Sequence, residues 1–271
     1  MNFKDIFGVS GKIVCVTGGG GGIGKGIAGG FIAGGAKVYI ASRRDLSSIA
    51  SELANEGPGE CIALQADLAQ GEQIERLANE LKEREGKLDV LVNNAAVGNL
   101  LHPFEEFPME VWDQASQMNL RAPFALTQAC LEMLGKAGTA NSHATVINIA
   151  SIDGVRIPQD DDWAYGPTKA GLIQLTRQWA GRLGNNHGRE GGRHITFNVI
   201  TPGPFPGMLD DVLATEEGRA AMARSPVVGR VGEPEDMGAA CVYLASRAGA
   251  FVTGAVLPVD GGVLVGPSAN H

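Results

Sequence analysis

The sequence predicts an α/β protein built on one doubly wound parallel sheet with helices on both faces. Three observations carry that expectation. Short β-branched or aliphatic runs alternate with longer stretches of helical periodicity, as when each strand is followed by a crossover helix. A glycine cluster lies between the first such run and the first apolar-faced helix. Polar turns recur at the carboxyl ends of the strand runs, the edge at which such sheets bind ligands.

The first strand is expected over residues 13–16. Ile23, Ile27 and Phe31 then recur at spacings that share one helical face. Further strands are expected over 38–40, 61–64, 88–92, 144–149, 195–200 and 255–259, and helices over 46–55, 73–85, 109–134, 165–183 and 234–244. No linker divides this alternation, so residues 1–271 read as a single domain. Two segments interrupt it. Residues 184–193, GNNHGREGGR, have the glycine-rich polar composition of an exposed loop. Residues 205–228 mix Pro206 and Gly207 with a short helical pattern and read as a cover over a site.

Composition excludes several function classes. A formal net charge of -8 gives no basic face with which to displace counterions from nucleic acid. No apolar run reaches the roughly 18 residues of a membrane span, and MNFKDIFGVS lacks the apolar core of a secretion signal; a cytoplasmic location is expected. Cys15, Cys61, Cys130 and Cys241 are scattered without metal-ligand spacing, so no metal is expected and they read as small hydrophobes in a reducing compartment.

The turn after the first strand reads Thr17-Gly18-Gly19-Gly20-Gly21-Gly22-Ile23-Gly24. Residues without side chains let the backbone turn sharply and let a pyrophosphate approach the free amides of a helix amino terminus, which predicts dinucleotide binding. The second strand ends in Ser42-Arg43-Arg44 rather than in an acidic residue that would accept from ribose hydroxyls. Guanidinium groups suit a 2′-phosphate, which favours NADP(H). Asp45 reads as the cap of the following helix. Asp67-Leu68 and Asn93-Asn94 at the ends of the third and fourth strands complete the predicted cofactor edge.

Tyr165 and Lys169 lie four apart at the start of a helical pattern, on one face and one turn apart. A phenol with an ordinary pKa of about 10 becomes an acid-base catalyst near neutrality only if a cation stabilises its anion, and Lys169 offers that charge. Ser151 follows the fifth strand at the same sheet edge, where its hydroxyl could hold a carbonyl oxygen. Asn119 is a polar residue within the 109–134 helix, between Met118 and Leu120.

Over nearly its whole length the chain resembles the short-chain dehydrogenase/reductases, a family with a Rossmann-like fold. The family's TGxxxGxG matches Thr17, Gly18, Gly22 and Gly24, and its NNAG matches residues 93–95, with Ala96 in place of glycine. Its Asn-Ser-Tyr-Lys set falls on Asn119, Ser151, Tyr165 and Lys169, and its PG motif on Pro202-Gly203. NIAS, AYGPTKAG, NVITPGPFP, GRVGEPEDM and PVDGG are similar to segments of bacterial 3-oxoacyl-thioester reductases, the rhamnolipid type in particular.

The resemblance implies hydride transfer from NADPH to a carbonyl carbon while Tyr165 gives a proton to the oxygen. Ser151 would hold that oxygen, Lys169 would bind the nicotinamide ribose and depress the tyrosine pKa, and Asn119 would anchor a proton-relaying water. It also implies contacts from Pro202, Gly203 and Phe205 to the cofactor, and a homodimer or homotetramer. Phe205, Met208, Leu209, Trp163 and Val155 are expected to line an apolar substrate pocket. Two other readings remain open: a non-catalytic NADP(H) sensor or scaffold, and an enoyl- or dienoyl-thioester reductase. The chain departs from the family in the fourteen-residue spacing of Ser151 and Tyr165, filled in part by Asp160-Asp161-Asp162, and in lacking the threonine after its PG motif.

Overall fold

The seven apolar runs form seven parallel strands of one sheet: β1 (Ile13–Thr17), β2 (Lys37–Ser42), β3 (Glu60–Gln65), β4 (Val90–Asn93), β5 (Ala144–Ile149), β6 (Ile195–Pro202) and β7 (Val256–Val259). The computed structural model of the protein describes residues 2–158, 160–184 and 193–266. Most of the predicted 184–193 loop therefore lies outside the described residues. The strand order is β3-β2-β1-β4-β5-β6-β7. The chain leaves β1 to build one half and returns beside it with β4, so the two halves diverge between these strands. A crevice opens there at their carboxyl ends.

Ten α-helices accompany the strands: α1 (Phe3–Phe7), α2 (Gly22–Ala33), α3 (Ser47–Leu53), α4 (Gly71–Glu85), α5 (Met109–Ser116), α6 (Ala122–Ala137), α7 (Tyr165–Leu183), α8 (Asp210–Leu213), α9 (Glu216–Met222) and α10 (Pro234–Ala245), counted among the described residues. Val14 and Val16 of β1 point into a core shared with Ile27 and Phe31 of α2 and Met237 of α10. Cys15, between them, points to the opposite core with Leu77 of α4, Leu126 of α6 and Trp179 of α7. The period-two alternation of a strand thus feeds two cores, and every residue of β1, β4, β5 and β6 is buried. Cys15, Cys130 and Cys241 are buried and Cys61 is half-buried, as small core residues.

The predicted 109–134 helix is interrupted. One turn of π-helix, Gln117–Arg121, separates α5 from α6. Inserting one residue per turn rotates Asn119 into the interior, where the backbone of a neighbouring loop meets its amide. A buried polar chain then fixes the angle of α7. Asn93 Nδ2 donates to Thr127 Oγ1 (3.1 Å) and Asn148 Oδ1 (2.8 Å), and Asn148 Nδ2 donates to Thr176 Oγ1 on α7 (2.7 Å). Such a chain tolerates little slippage, because each displaced partner would leave a buried polar group unpaired.

Candidate active site

The glycine turn closes on β4 through side chain and backbone together. Thr17 Oγ1 accepts from the amides of Asn94 (2.9 Å) and Ala95 (3.0 Å), and Asn94 Nδ2 donates to the carbonyls of Thr17 (2.8 Å) and Gly18 (3.2 Å). Gly18 has φ +66°, and a Cβ there would stand 2.9 Å from Asn94 Nδ2. A Cβ on Gly24 would strike the Gly18 carbonyl. The glycines therefore keep the amino terminus of α2 bare and close to the strand ends.

Above this turn lies a cleft of about 580 Å³. It is lined by Gly18, Gly22, Ile23, Gly24, Ser42, Arg43, Arg44, Asp67, Leu68 and Asn94, which places the greater part of the predicted cofactor set around one opening. Arg43 and Arg44 are exposed at the end of β2. Asp45 accepts from Ser47 N (2.9 Å) and Ser47 Oγ (2.6 Å), but the cap position of α3 falls on Leu46, which has no side-chain acceptor, so Asp45 stands one residue before the capping place expected of it. Gln114, Gln117 and Met118 also line the cleft; nothing in their spacing singled them out. The bare helix terminus and the two guanidinium groups suit a nucleotide carrying both a pyrophosphate and a further phosphate.

A smaller cavity of about 140 Å³ adjoins the cleft, and Ile23, Asn94, Ala96, Pro206 and Met208 belong to both. Ser151, Tyr165, Lys169, Pro202, Gly203 and Phe205 line it, together with Met208 and Leu209. Tyr165 opens α7, and Lys169 stands one turn later with Nζ 5.4 Å from the phenol ring centroid. Lys169 is buried and donates to the Ile149 carbonyl at the end of β5 (2.8 Å). Ser151 Oγ accepts from Asp153 N (3.1 Å) and donates to Asp153 Oδ2 (3.3 Å).

Burial lowers the Lys169 ammonium from its ordinary 10.5 to about 7. Burial also raises the Tyr165 phenol well above its ordinary value of 10; Asp153, Asp162 and Asp160 add to the rise, while the nearby Ser151 hydroxyl opposes it. In the protein by itself burial pushes both groups towards their neutral forms, and the lowering of the phenol expected from Lys169 does not accompany it.

Asn119 is brought near but not into the cavity. It is fully buried; its Oδ1 accepts from Val97 N (2.9 Å) while its Nδ2 donates to Val97 O (2.9 Å) and Thr168 Oγ1 (3.1 Å). Its side chain is thus committed to the loop after β4 and to α7. Two expected pocket residues fall elsewhere. Trp163 packs edge-on against Phe104, ring centroids 5.1 Å apart, and Val155 is exposed. In their place the cavity wall carries Asn99, Asp153, Asp160 and Asp162.

The comparisons agree with this geometry. The family model described as "Enoyl-(Acyl carrier protein) reductase" matches residues 18–264. The rhamnolipids biosynthesis 3-oxoacyl-[acyl-carrier-protein] reductase of Pseudomonas aeruginosa is 38% identical over 259 residues, covering 94% of this chain and 97% of that protein. The NAD-dependent glycerol dehydrogenase of Listeria innocua is 31% identical, covering 98% of this chain and 100% of that protein. Among solved structures, the Pseudomonas aeruginosa RhlG/NADP active-site complex is similar with a TM-score of 0.89 and 38% identity, covering 97% of this chain and 99% of that one. The chain belongs to the short-chain dehydrogenase/reductase family of oxidoreductases. No helix among the described residues is long and apolar enough to cross a membrane.

Proposed function

We propose that the protein is an NADP(H)-dependent carbonyl reductase acting on a ketone or 3-oxoacyl-type substrate with an apolar portion, and running in reverse as an alcohol dehydrogenase. One observation carries the reading: Ser151, Tyr165 and Lys169 meet in a cavity that shares a wall with the dinucleotide cleft. The similarity to the RhlG/NADP complex supports the choice of nucleotide, as do Arg43 and Arg44.

The residues that would hold NADP(H) are Gly18, Gly22, Ile23 and Gly24 at the pyrophosphate, Ser42, Arg43 and Arg44 at the adenosine end, Asp67, Leu68 and Asn94 along the cleft, and Pro202, Gly203, Phe205, Tyr165 and Lys169 towards the nicotinamide. When bound, the cofactor supplies the hydride. Ser151 Oγ donates a hydrogen bond to the carbonyl oxygen of the substrate, and Tyr165 Oη delivers a proton to that oxygen as negative charge develops there. Lys169 titrates near neutrality and stands beside the phenol, so it is matched to resupply that proton. Asn119 holds Val97 and Thr168, and through them the spacing of the β4 loop against α7; the proton-relaying water expected at Asn119 belongs to this proposal. Phe205, Met208 and Leu209 give the substrate its apolar wall.

Residues 205–228, which bring Pro206 and Met208 to both cavities and Gly207 to the larger one, act as the cover of a single domain spanning 1–271. The partner is a small molecule and the location cytoplasmic. A homodimer or homotetramer is supported by the exposed Phe124, which lines an open groove between the α5–α6 junction and α7. The match to an enoyl reductase family model raises alkenyl reduction as a second reading; Ser151 beside Tyr165 in the cavity favours the carbonyl. NADPH oxidation against a panel of ketones, 3-oxoacyl thioesters and enoyl thioesters separates them. Tyr165→Phe should lower carbonyl reduction by about 10²–10⁴-fold with NADPH affinity nearly intact. Near-normal turnover in that variant refutes the proposal, and NADPH binding without oxidation across the panel favours a sensor.

A further inference from the structure

Tyr165 is the first residue of its helix, a place where orientation depends on what lies before it. Asp162, three residues earlier, is 5% exposed and spends its two carboxylate oxygens on different parts of the chain. Oδ1 accepts from the amides of Tyr165 (3.0 Å) and Ala164 (3.3 Å), which satisfies the open amino terminus of α7. Oδ2 accepts from the amide of Leu100 (3.1 Å), in the segment that leaves β4.

That segment is fastened rung by rung. Val97 is clamped by Asn119, and Asn99, at φ +59°, donates from Nδ2 to the carbonyl of Met208 (2.6 Å). His102 N donates to Asp161 O (3.2 Å), and Trp163 Nε1 donates to His102 O (3.2 Å). Between these rungs Gly98 lies flat on the Tyr165 ring: a Cβ there would stand 2.9 Å from Tyr165 Cδ2 and 3.0 Å from Met208 Sδ.

We infer that Asp162 is a positioning residue for Tyr165, registering the phenol of α7 against the 97–102 strap that walls the cavity. Its kinetic consequence rests on the carbonyl-reductase reading. It also adds to the electrostatics of the phenol, after burial and Asp153, because the charged and polar groups that face Tyr165 are few. They are Ser151 and Asp153 after β5, Asp160 and Asp162 before α7, and Lys169 on α7 itself. Asp153 is already paired with Arg156 (2.8 Å) and Lys169 with the Ile149 carbonyl, whereas Asp162 is met by backbone amides alone.

Asp162→Asn discriminates this role from a structural one. An asparagine can keep one carbonyl oxygen on the Tyr165 amide, so α7 stays capped, but it presents an NH₂ to the Leu100 N–H and carries no charge. The expected result is a loss in kcat of about tenfold, with NADPH affinity and the substrate KM each within about twofold. The high-pH limb of carbonyl reduction should move to lower pH, because removing a negative charge lowers the phenol pKa. A second readout needs no turnover. The chain has three tyrosines, so the ¹³Cζ resonance of Tyr165 can be assigned with Tyr165→Phe, and it should shift in Asp162→Asn. A variant with a lowered Tm but unchanged kcat, pH limb and Tyr165 resonance overturns the inference. If the wild-type protein reduces no carbonyl, the reductase reading fails by itself, and the resonance decides: a shift upholds the positioning role, and an unmoved signal overturns it.

Discussion

Replacing Lys169 by methionine should make the protein more stable while removing its activity. An amine that titrates near 10.5 in the unfolded chain and near 7 in the fold opposes folding by roughly 5 kcal/mol at any pH below 7, at about 1.4 kcal/mol for each pH unit between the two values. Methionine keeps an unbranched apolar stem and brings no charge into the core. It gives up the hydrogen bond from Nζ to the Ile149 carbonyl, and leaving that acceptor without its donor costs about 1–3 kcal/mol. The net gain is about 2–4 kcal/mol, on the order of 10 °C in Tm for a chain of this size. The sign depends on pH. Between the two pKa values the unfolded chain binds a proton that the folded chain does not, so wild-type stability rises with pH across that window. The advantage of Lys169→Met is therefore largest at or below neutrality and fades, then reverses, as pH climbs towards 10.5. Thermal melts of the cofactor-free proteins from about pH 6 to about pH 10 measure this. A variant that melts below wild type near neutrality, or a gap that does not vary with pH, refutes the reasoning.

Replacing Arg43 and Arg44 together by alanine should raise the KM for NADPH by about tenfold or more and leave that for NADH within about twofold, because only the former carries the phosphate that guanidinium groups would grip. Equal changes for both nucleotides would remove the arginines from the nucleotide preference. The cavity wall sets three carboxylates, Asp153, Asp160 and Asp162, against Lys169. An uncharged 3-oxo ester should accordingly show a kcat/KM at least about tenfold above that of the corresponding 3-oxo acid, whose carboxylate would be held among like charges; parity between ester and acid would contradict it.

What the sequence makes legible follows from how far apart the interacting residues lie. Tyr165 and Lys169 are neighbours by helical geometry alone, and the glycine turn is tied to the strand that precedes it, so periodicity suffices to place them. β5 and α7 begin and end where the apolar pattern does. β6 runs two residues further, through Thr201 to Pro202, since a terminal proline need not donate to the ladder. The π-turn at Asn119 has no signature in spacing: one polar residue in a helix looks the same whether it faces water or, as here, the backbone of Val97. Asp162 and Leu100 are 62 positions apart and meet only after β4 and β5 have paired. Asp160-Asp161-Asp162 therefore reads as a bulge in the Ser151 to Tyr165 spacing, although its last member is buried in the site. Trp163, expected in the pocket, turns away because Phe104 and the His102 carbonyl engage both its ring and its N–H.

The placement of Tyr165 draws these strands of evidence together. Asp162 holds the first turn of α7, the Lys169 amine ties its second turn to β5, and Thr176 anchors its middle to Asn148. Only one of those ties carries an obvious penalty. A neutral polar residue could anchor the second turn to Ile149 without desolvating an amine, as Thr176 does lower on the same helix. That a lysine occupies this position, at a pKa near 7, is unfavourable for folding and favourable for proton transfer at neutral pH. On the proposed reading stability and chemistry pull in opposite directions at Lys169, whereas Thr176 serves stability alone, which is the physical difference expected between a residue that holds the helix and one that also moves a proton.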